Sequence, residues 1–278
     1  MEQVTYDKYV ESRNHLKDFI RHKFKCNDIK LKDLKSNFLD DYDYYLKTEK
    51  GKNKKGFEQS TINKVIQRFR RTLKYAMSER YLASDPFIIY ESKTVKKKIT
   101  FLTTEELKRL QHHQFKTDRI QNIKELFVFC CYIGLPFTEM SRLRKSDIFT
   151  GFDNKLWISV NRKKTDREYK VPLLPKALQI IEKFNDENSL LVFPKISNQK
   201  FNEYLKEVAE ILEIKKNLTH HVARKTFAST VLLYNDVPME IVSELLGHAK
   251  MSTTQESYGK VVQKKIGDVM EQLSNKLK

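Results

Sequence analysis

Apolar side chains recur at helical spacing in the first part of the chain, most clearly between residues 60 and 82. One face of that predicted helix carries Ile62, Val65, Ile66, Phe69, Leu73, Ala76 and Met77, and the opposite face carries Arg70, Arg71 and Lys74. Ser60 or Thr61 is the expected N-cap. Pro86 ends the helical region, because the residue before a proline is disfavoured in helical conformation. These signals predict a helical domain over residues 1–92.

A basic stretch without apolar periodicity follows this domain. It carries four lysines, Lys93, Lys96, Lys97 and Lys98. We interpret residues 93–100 as an exposed linker between two domains. Thr103 and Glu106 have the spacing of a capping box, which predicts that a new helix begins here. The second domain is therefore predicted to span residues 101–278.

The period of the pattern changes in the middle of the second domain. Two runs, 156–160 and 169–173, alternate between apolar and polar positions. Their apolar members are Leu156, Ile158, Val160, Tyr169, Val171 and Leu173. The polar segment 161–168 between them predicts a β-hairpin with a basic tip. Since helical patterns resume near Lys176, the predicted fold class is mainly α with a small antiparallel β-hairpin or sheet.

The end of the chain also has helix signals. Pro238 and Gly247 fit the start and the end of one helix. Ser252, three residues before Gln255, predicts a second capping box, so Tyr258 is expected in or just past a short helix. The apolar positions of the last predicted helix are Val262, Ile266, Val269, Met270, Leu273 and Leu277. This face needs cover from the body of the protein or from a neighbouring subunit.

Composition narrows the class of partner. The chain has 53 basic and 36 acidic residues and a formal net charge of +17. Such a surplus favours binding to a polyanion, and nucleic acid is a better candidate than an anionic membrane surface. Hydrophobic residues make up 40%, enough for packed cores. The longest apolar run, residues 126–135, is too short to span a bilayer, and the start of the chain lacks the apolar core of a signal peptide.

The three cysteines predict a cellular compartment. Cys130 and Cys131 are adjacent within the apolar run, and Cys26 leaves the count odd. We interpret them as buried free thiols of a protein in the reducing cytoplasm.

A histidine and an arginine in the second domain suggest a phosphate site. His221 and Arg224 fall on one face of a predicted helix, for which Thr219 is the expected cap. A guanidinium is a fixed cationic fork that fits a phosphate, and an imidazole beside it can donate a hydrogen bond or move a proton near neutral pH. An H-x-x-R spacing alone is a weak signal, since it also occurs by chance on solvated helices.

The residues around that pair strengthen the interpretation. His248 follows a predicted helix end, and Tyr258 lies ten residues later among small polar residues. A phenol becomes a useful nucleophile when cations lower its pKa or a base takes its proton. Lys163 and Lys164 at the hairpin tip are candidates for protonating a leaving alkoxide. With no carboxylate cluster in the pattern, this combination points to metal-free phosphoryl transfer through a phosphotyrosine.

Residues 218–261 resemble the carboxy-terminal signature of the tyrosine recombinases, the phage integrase family. The match comprises His221-x-x-Arg224, the Leu-Gly-His at 246–248, and Tyr258 after two threonines. The hairpin sequence is also similar to that of the family, and the resemblance is to mobile-element integrases of Bacteroides-like bacteria in particular.

The resemblance implies a role for each candidate residue. Tyr258 would attack the scissile phosphate and form a 3′-phosphotyrosine, leaving a free 5′-hydroxyl that Lys164 would protonate. Arg224 would clamp the non-bridging oxygens. His221 would assist proton transfer, and His248 would hydrogen-bond the phosphate.

It also implies an organisation and partners. The first domain would be a helical core-binding domain and the second an α+β catalytic domain. A homotetramer would hold double-stranded DNA and exchange its C-terminal helices, with no metal or nucleotide cofactor and with no membrane partner. Whether an accessory DNA-bending factor takes part is left open. Contacts with the DNA backbone are predicted for Lys93, Lys96, Lys97 and Lys98, and for Arg70, Arg71 and Lys74, whose alternative interpretation is a solvated helix face.

One position departs from the family pattern. Gly134, Leu135 and Glu139 fit its GLRxxE motif, but Pro136 stands where the first arginine belongs. Loss of one such donor costs about 2.7–4 kcal/mol in transition-state stabilisation. At about 100° per residue Arg142 is not on the same helix face as Pro136, so another basic residue would have to fill the gap. Pro136 supports one alternative, a recombinase-like DNA-binding protein with impaired catalysis. A type I topoisomerase is another alternative, because it shares the tyrosine chemistry, but the compact size and the integrase-like block argue against it.

Overall fold

The computed structural model describes residues 2–49, 56–95, 99–162, 167–248, 250–256, 258, 270 and 273–277. The chain forms two compact units, Met1–Lys97 and Lys98–Lys278. Each unit has its own hydrophobic core.

The first unit is helical. It contains α1 (Gln3–Phe24), a 3₁₀ turn (Leu31–Asp33), α2 (Phe38–Thr48) and α3 (Gln59–Ser78). The predicted apolar face of α3 is confirmed, since five of its members are buried: Ile62, Val65, Ile66, Leu73 and Ala76. The predicted caps of this helix are wrong. Its N-cap is Glu58, whose carbonyl already accepts hydrogen bonds from the backbone N–H groups of residues 61 and 62.

The second unit surrounds a small antiparallel sheet with helices. The helices are α4 (Thr104–His112), α5 (Asp118–Ile133), α6 (Phe137–Met140), α7 (Pro175–Lys183), α8 (Asn198–Ile211), α9 (His220–Thr226) and α10 (Met239–Leu245), with a π-helical segment at Phe227–Leu232. The strands are β1 (Ile148–Thr150), β2 (Leu156–Arg162) and β3 (Arg167–Pro172). The predicted fold class is thus confirmed.

The predicted hairpin is β2 and β3, which pair antiparallel with Val160 opposite Tyr169 and Arg162 opposite Arg167. The inward row of β2, Ile158 and Val160, is buried as its alternation predicted. Strand β1 extends the sheet on the other side of β2. The sequence did not reveal it, because three residues are too few for an alternating pattern.

Of the two predicted capping boxes, one is confirmed and one is wrong. Thr103 Oγ1 accepts from the N–H of Glu106 at 3.2 Å, and Glu106 Oε2 accepts from the N–H of Thr103 at 2.7 Å. Ser252 is not a cap, because the short helix over residues 251–256 has already begun at Met251. The N–H of Thr253 donates to the Lys250 carbonyl at 3.2 Å, so Lys250 is the residue that directly precedes the helix.

The cysteine prediction holds for two of the three thiols. Cys130 and Cys131 are buried in α5, and burial raises the pKa of each. Cys26 is exposed, contrary to prediction. It follows the end of α1, where Lys25 turns the chain in the left-handed conformation with φ 56°, so Cys26 lies in a surface turn.

The last predicted helix is described only in part. Met270, Leu273 and Leu277 are exposed large apolar side chains. Val262, Ile266 and Val269 lie outside the described residues.

A buried ion cluster stabilises the second unit. Glu125 Oε1 accepts from the ammonium groups of Lys124 and Lys183, each at 3.0 Å, and Lys124 and Glu125 are both buried in α5. Burial raises the pKa of the Glu125 carboxyl, but the hydrogen bonds from Lys183 and Lys124 outweigh it and lower the pKa overall. Burial lowers the pKa of Lys124. The hydrogen bond and charge of Glu125 act in the opposite direction, so Glu125 is the counter-charge of the buried Lys124 ammonium.

Replacing Glu125 with alanine is expected to lower the free energy of unfolding by about 3–5 kcal/mol, because it leaves a buried ammonium without its counter-charge. Glu187→Ala, at an exposed position, is the matched control and is expected to change little. Urea denaturation followed by circular dichroism measures both. The double variant Lys124→Met with Glu125→Leu is expected to recover most of the loss. Equal stabilities of Glu125→Ala and the control would contradict the prediction.

Candidate active site

The site is built where the end of α5 meets α9. Gly134 ends α5 with φ +70°, and a Cβ there would lie 2.2 Å from Phe227 Cδ1, so only glycine fits this turn. The chain then passes through Pro136, the N-cap of α6, whose φ of −63° suits a proline. The turn presents the Gly134 carbonyl to Arg224, whose Nη1 donates to it.

Arg224 is the centre of the site. It lies on α9 and is only 6% exposed. Besides its bond to Gly134, its Nη2 donates to the Leu246 carbonyl just past α10. Burial lowers the pKa of Arg224, but a guanidinium stays charged at any pH at which a protein is folded. A buried positive charge is thus held between two backbone turns.

His248 lies directly after the second of these turns. Gly247 has φ +58°, and a Cβ there would lie 2.8 Å from Tyr169 Cδ1, so the turn packs tightly on β3. His248 Nδ1 forms a hydrogen bond with Thr254 Oγ1 at 2.7 Å. Burial, then the positive charges of Arg224 and Arg162, lower the pKa of His248 to about 4. His248 is therefore neutral at pH 7.

Tyr258 belongs to the same hydrophobic core as the residues around Arg224. Its side chain is 4% exposed. Burial raises the pKa of Tyr258, and the nearby positive charge of Arg224 acts in the opposite direction. The phenol and the guanidinium are therefore close enough to interact within one subunit.

Sequence reasoning missed Arg162. Its Nη1 donates to the Gly247 carbonyl at 2.8 Å, one residue along from the carbonyl that Arg224 holds. Arg162 continues the inward row of β2 after Ile158 and Val160, so the period of two already contained the signal. The alternation was recognised from its apolar members alone, and Arg162 is polar.

The two histidines of α9 lie in different surroundings. His221, the predicted site residue, is exposed. Partial burial of its ring, with the charges of Lys225 and Arg224, lowers its pKa. His220 is 5% exposed, and its ring packs edge-on against Phe137 with the centroids 5.5 Å apart. Burial, with smaller effects of Arg224 and His221, lowers the pKa of His220 to about 3.

The depressed pKa values of His220 and His248 predict a pH-dependent stability. On unfolding both pKa values return to about 6.5, so between pH 6.5 and about 4 the unfolded chain binds more protons than the folded one. The free energy of unfolding is therefore expected to fall as the pH is lowered from 7 to 5. Urea midpoints at the two pH values measure this fall.

His220→Gln is expected to reduce that pH dependence, whereas His112→Gln, at an exposed position, serves as the control. An equal fall in the urea midpoint for wild type and His220→Gln would contradict the assignment to His220.

Arg142 and Arg144 do not share the surroundings of Arg224. They line a cavity of about 340 Å³ together with Ser159 and Asn161. Ser159 and Asn161 alternate with the inward row of β2, so their side chains leave the strand on the face opposite Arg162.

Two of the side chains predicted to contact the DNA backbone form ion pairs with carboxylates of the first unit. Lys93 Nζ lies 2.6 Å from the carboxylate of Asp43, which is 1% exposed, and Arg70 Nη2 lies 3.0 Å from that of Asp85. Both cations are held in ion pairs within the first unit. Arg71 is exposed. The remaining members are Lys74, which is also exposed, and Lys96, Lys97 and Lys98, which, like Lys164, lie outside the described residues.

No group of three or more His, Cys, Asp or Glu side chains in the part of the chain that the structure describes is arranged to hold a metal ion. None of the helices described is long and apolar enough to cross a membrane.

A helical unit is thus followed by an α+β unit in which the charge of Arg224 acts on both His248 and Tyr258. Residues 1–99 match the phage integrase SAM-like domain, and residues 100–264 match the phage integrase family. The chain belongs to the phage integrase family.

Several proteins with similar sequences are tyrosine recombinases. Tyrosine recombinase XerC of Thermodesulfovibrio yellowstonii is 26% identical over 72% of this chain and 71% of its own length. Tyrosine recombinase XerD of Halalkalibacterium halodurans is 27% identical over 91% of this chain and 87% of its own.

Solved structures of the same fold include a lambda integrase dimer bound to a core site, with a TM-score of 0.71 and 14% identity over 92% of this chain and 89% of that one. The Tn1549 transposon integrase in complex with circular intermediate DNA has a TM-score of 0.71 and 16% identity over 93% of this chain and 90% of that one.

Proposed function

We propose that this protein is a site-specific DNA recombinase or integrase that cuts and rejoins double-stranded DNA through a 3′-phosphotyrosine, without a metal or nucleotide cofactor. The observation that carries the proposal is the proximity of Tyr258 to Arg224, with His248 beside them. The charge of Arg224 acts on the pKa of both Tyr258 and His248, which supports a site that combines a nucleophile, a fixed cation and a neutral imidazole in one subunit.

The proposed reaction conserves the energy of the phosphodiester bond. The Tyr258 oxygen attacks phosphorus, the bond from phosphorus to the 5′ oxygen breaks, and Lys164 gives a proton to that oxygen. Arg224 stabilises the negative charge that grows on the non-bridging oxygens. A 5′-hydroxyl from another strand then reverses the steps and releases Tyr258. Because a phosphodiester is exchanged for a phosphotyrosine and back, no nucleotide needs to be hydrolysed.

The surroundings of the histidines suit the roles proposed for them. Tyr258 must lose a proton as it attacks, since burial raises its pKa. His221 has a lowered pKa, so it is neutral and able to accept that proton near neutral pH. His248 Nδ1 forms a hydrogen bond with Thr254 Oγ1, which fixes the orientation of the ring, and the role proposed for this neutral imidazole is a hydrogen bond to the phosphate. The burial of Tyr258 implies that DNA binding must uncover its hydroxyl.

The remaining expectations are parts of the same proposal. The net charge of +17 and the exposed Arg71 and Lys74 suit sequence-independent contacts with the DNA backbone. The exposed Met270, Leu273 and Leu277 suit a C-terminal helix that binds a neighbouring subunit in a homotetramer on DNA. The resemblance to mobile-element integrases, an accessory DNA-bending factor and a cytoplasmic location stay predictions.

Covalent capture tests the proposal. The binding sequence is first selected from random duplexes, and a nicked suicide substrate is then made from it. After cleavage the short strand leaves, so the covalent complex accumulates. Wild-type protein is expected to form a protein–DNA adduct, with the same yield in EDTA. A peptide map is expected to place the DNA on Tyr258.

The alternative with a specific observation in its favour is a DNA-binding protein with impaired catalysis, because Pro136 cannot supply the charge of an arginine. Tight binding without an adduct on the suicide substrate would support this alternative. Relaxation of a supercoiled plasmid that lacks the selected sequence would instead indicate a topoisomerase.

A further inference from the structure

We propose that Arg162 supplies the guanidinium that position 136 lacks, and that it binds a non-bridging oxygen of the scissile phosphate together with Arg224. This inference rests on the proposed function and deepens it. It assigns a catalytic role to a residue in β2, far in sequence from the GLPFTE segment in which the family pattern has its first arginine.

The first support is geometric. Arg224 Nη2 donates to the Leu246 carbonyl, and Arg162 Nη1 donates to the Gly247 carbonyl at 2.8 Å. Neighbouring Cα atoms are about 3.8 Å apart, so both guanidinium groups donate to one short stretch of backbone, and their charges interact. A phosphate has two non-bridging oxygens, and a pair of adjacent cationic forks is suited to bind both.

The second support is the charge balance. Arg162 lowers the pKa of Arg224 and that of His248, in each case in addition to the larger effect of burial. Among the described residues, no carboxylate forms an ion pair with either arginine. Two neighbouring positive charges repel each other, so an anion placed between them is bound favourably.

The third support is the strand itself. Side chains alternate across β2, so Arg162 faces the pocket of Arg224, while Asn161 lines the cavity with Arg142 and Arg144. Of these three arginines, Arg162 is the one that hydrogen-bonds the segment directly before His248. Pro136 thus removes a cation from one side of the site, and β2 supplies one.

The test compares two scissile groups in the nicked suicide substrate. One is the natural phosphate, and the other is a methylphosphonate, in which a neutral methyl group replaces one charged non-bridging oxygen. Arg162→Ala is expected to slow adduct formation on the phosphate by about 10²–10³-fold. On the methylphosphonate the loss is expected to be no more than about tenfold, because there is less charge to stabilise.

Asn161→Ala is the matched control, one residue away on the opposite face of β2. It is expected to keep the rate of wild type on both substrates. Arg162→Gln, which retains a donor for the Gly247 carbonyl without the charge, replaces Arg162→Ala if the latter does not fold, as judged by circular dichroism.

Each outcome of this test either supports or overturns the inference about Arg162. Equal losses on the two substrates would mean that Arg162 only maintains structure, and an unchanged rate on the phosphate would mean that it has no role; either overturns the inference. A wild-type protein that forms no adduct on the natural phosphate refutes the proposed function itself. An active wild type with an insensitive Arg162 refutes this inference alone.

Discussion

Tyr258→Phe is expected to abolish covalent capture of DNA while leaving DNA binding and folding unchanged. The substitution removes one oxygen, the proposed nucleophile, and the phenylalanine ring that remains cannot form a bond to phosphorus. The ring that fills the core at 4% exposure stays in place, so the free energy of unfolding is expected to change by only about 1 kcal/mol. Denaturing gels of the suicide-substrate reaction measure the adduct, and gel shifts measure binding.

Tyr169 provides the sharpest control for this prediction. It is a second buried phenol, its pKa is raised by burial, and the charge of Arg224 reaches it as well. Tyr169→Phe is expected to keep forming the adduct. If the adduct persisted in Tyr258→Phe and disappeared in Tyr169→Phe, the nucleophile would be misassigned. If neither change affected it, the chemistry would not be tyrosine-based.

Elements determined by neighbouring residues could be predicted from the sequence. The apolar face of α3 and the alternation in β2 and β3 arise from the repeat of each structure, so a short window contains the information. The capping boxes show where this stops. Thr103 and Ser252 carry the same local signature, yet only Thr103 is a cap, because the 251–256 helix has already begun at Met251.

The candidate site divides in the same way. His221 and Arg224 are three residues apart, and His248 and Tyr258 are ten apart, so a motif could find them. Arg162 and Gly247 are 85 residues apart in sequence, and their contact exists only because β2 passes the end of α10. Lys93 and Asp43 are 50 residues apart, and their ion pair was equally invisible. Contacts between residues far apart in the sequence therefore determine that Lys93 pairs with a carboxylate and that Arg162 reaches the segment before His248.

Lys164→Ala is expected to slow strand cleavage by about 10²–10⁴-fold, since it removes the proposed general acid. Lys164 lies outside the described residues, but it is two residues from Arg162 and so within about 7 Å along the chain. Arg162 and Arg167, the last pair of the β2–β3 ladder, flank residues 163–166 in the sequence. The defect is expected to disappear almost completely when sulfur replaces the bridging 5′ oxygen, because a thiolate, with a pKa of about 8.5, leaves without a proton.

Lys163→Ala is the matched control at the same tip, and it is expected to respond little to the sulfur. A Lys164→Ala defect that sulfur does not relieve would contradict the assignment. The sulfur and methyl substitutions alter different atoms of one phosphate, so they separate the two kinds of cation. Sulfur should relieve Lys164→Ala but not Arg162→Ala, and the methyl group should relieve Arg162→Ala but not Lys164→Ala. This crossed pattern requires that the ammonium acts on the leaving oxygen and the guanidinium on a non-bridging one.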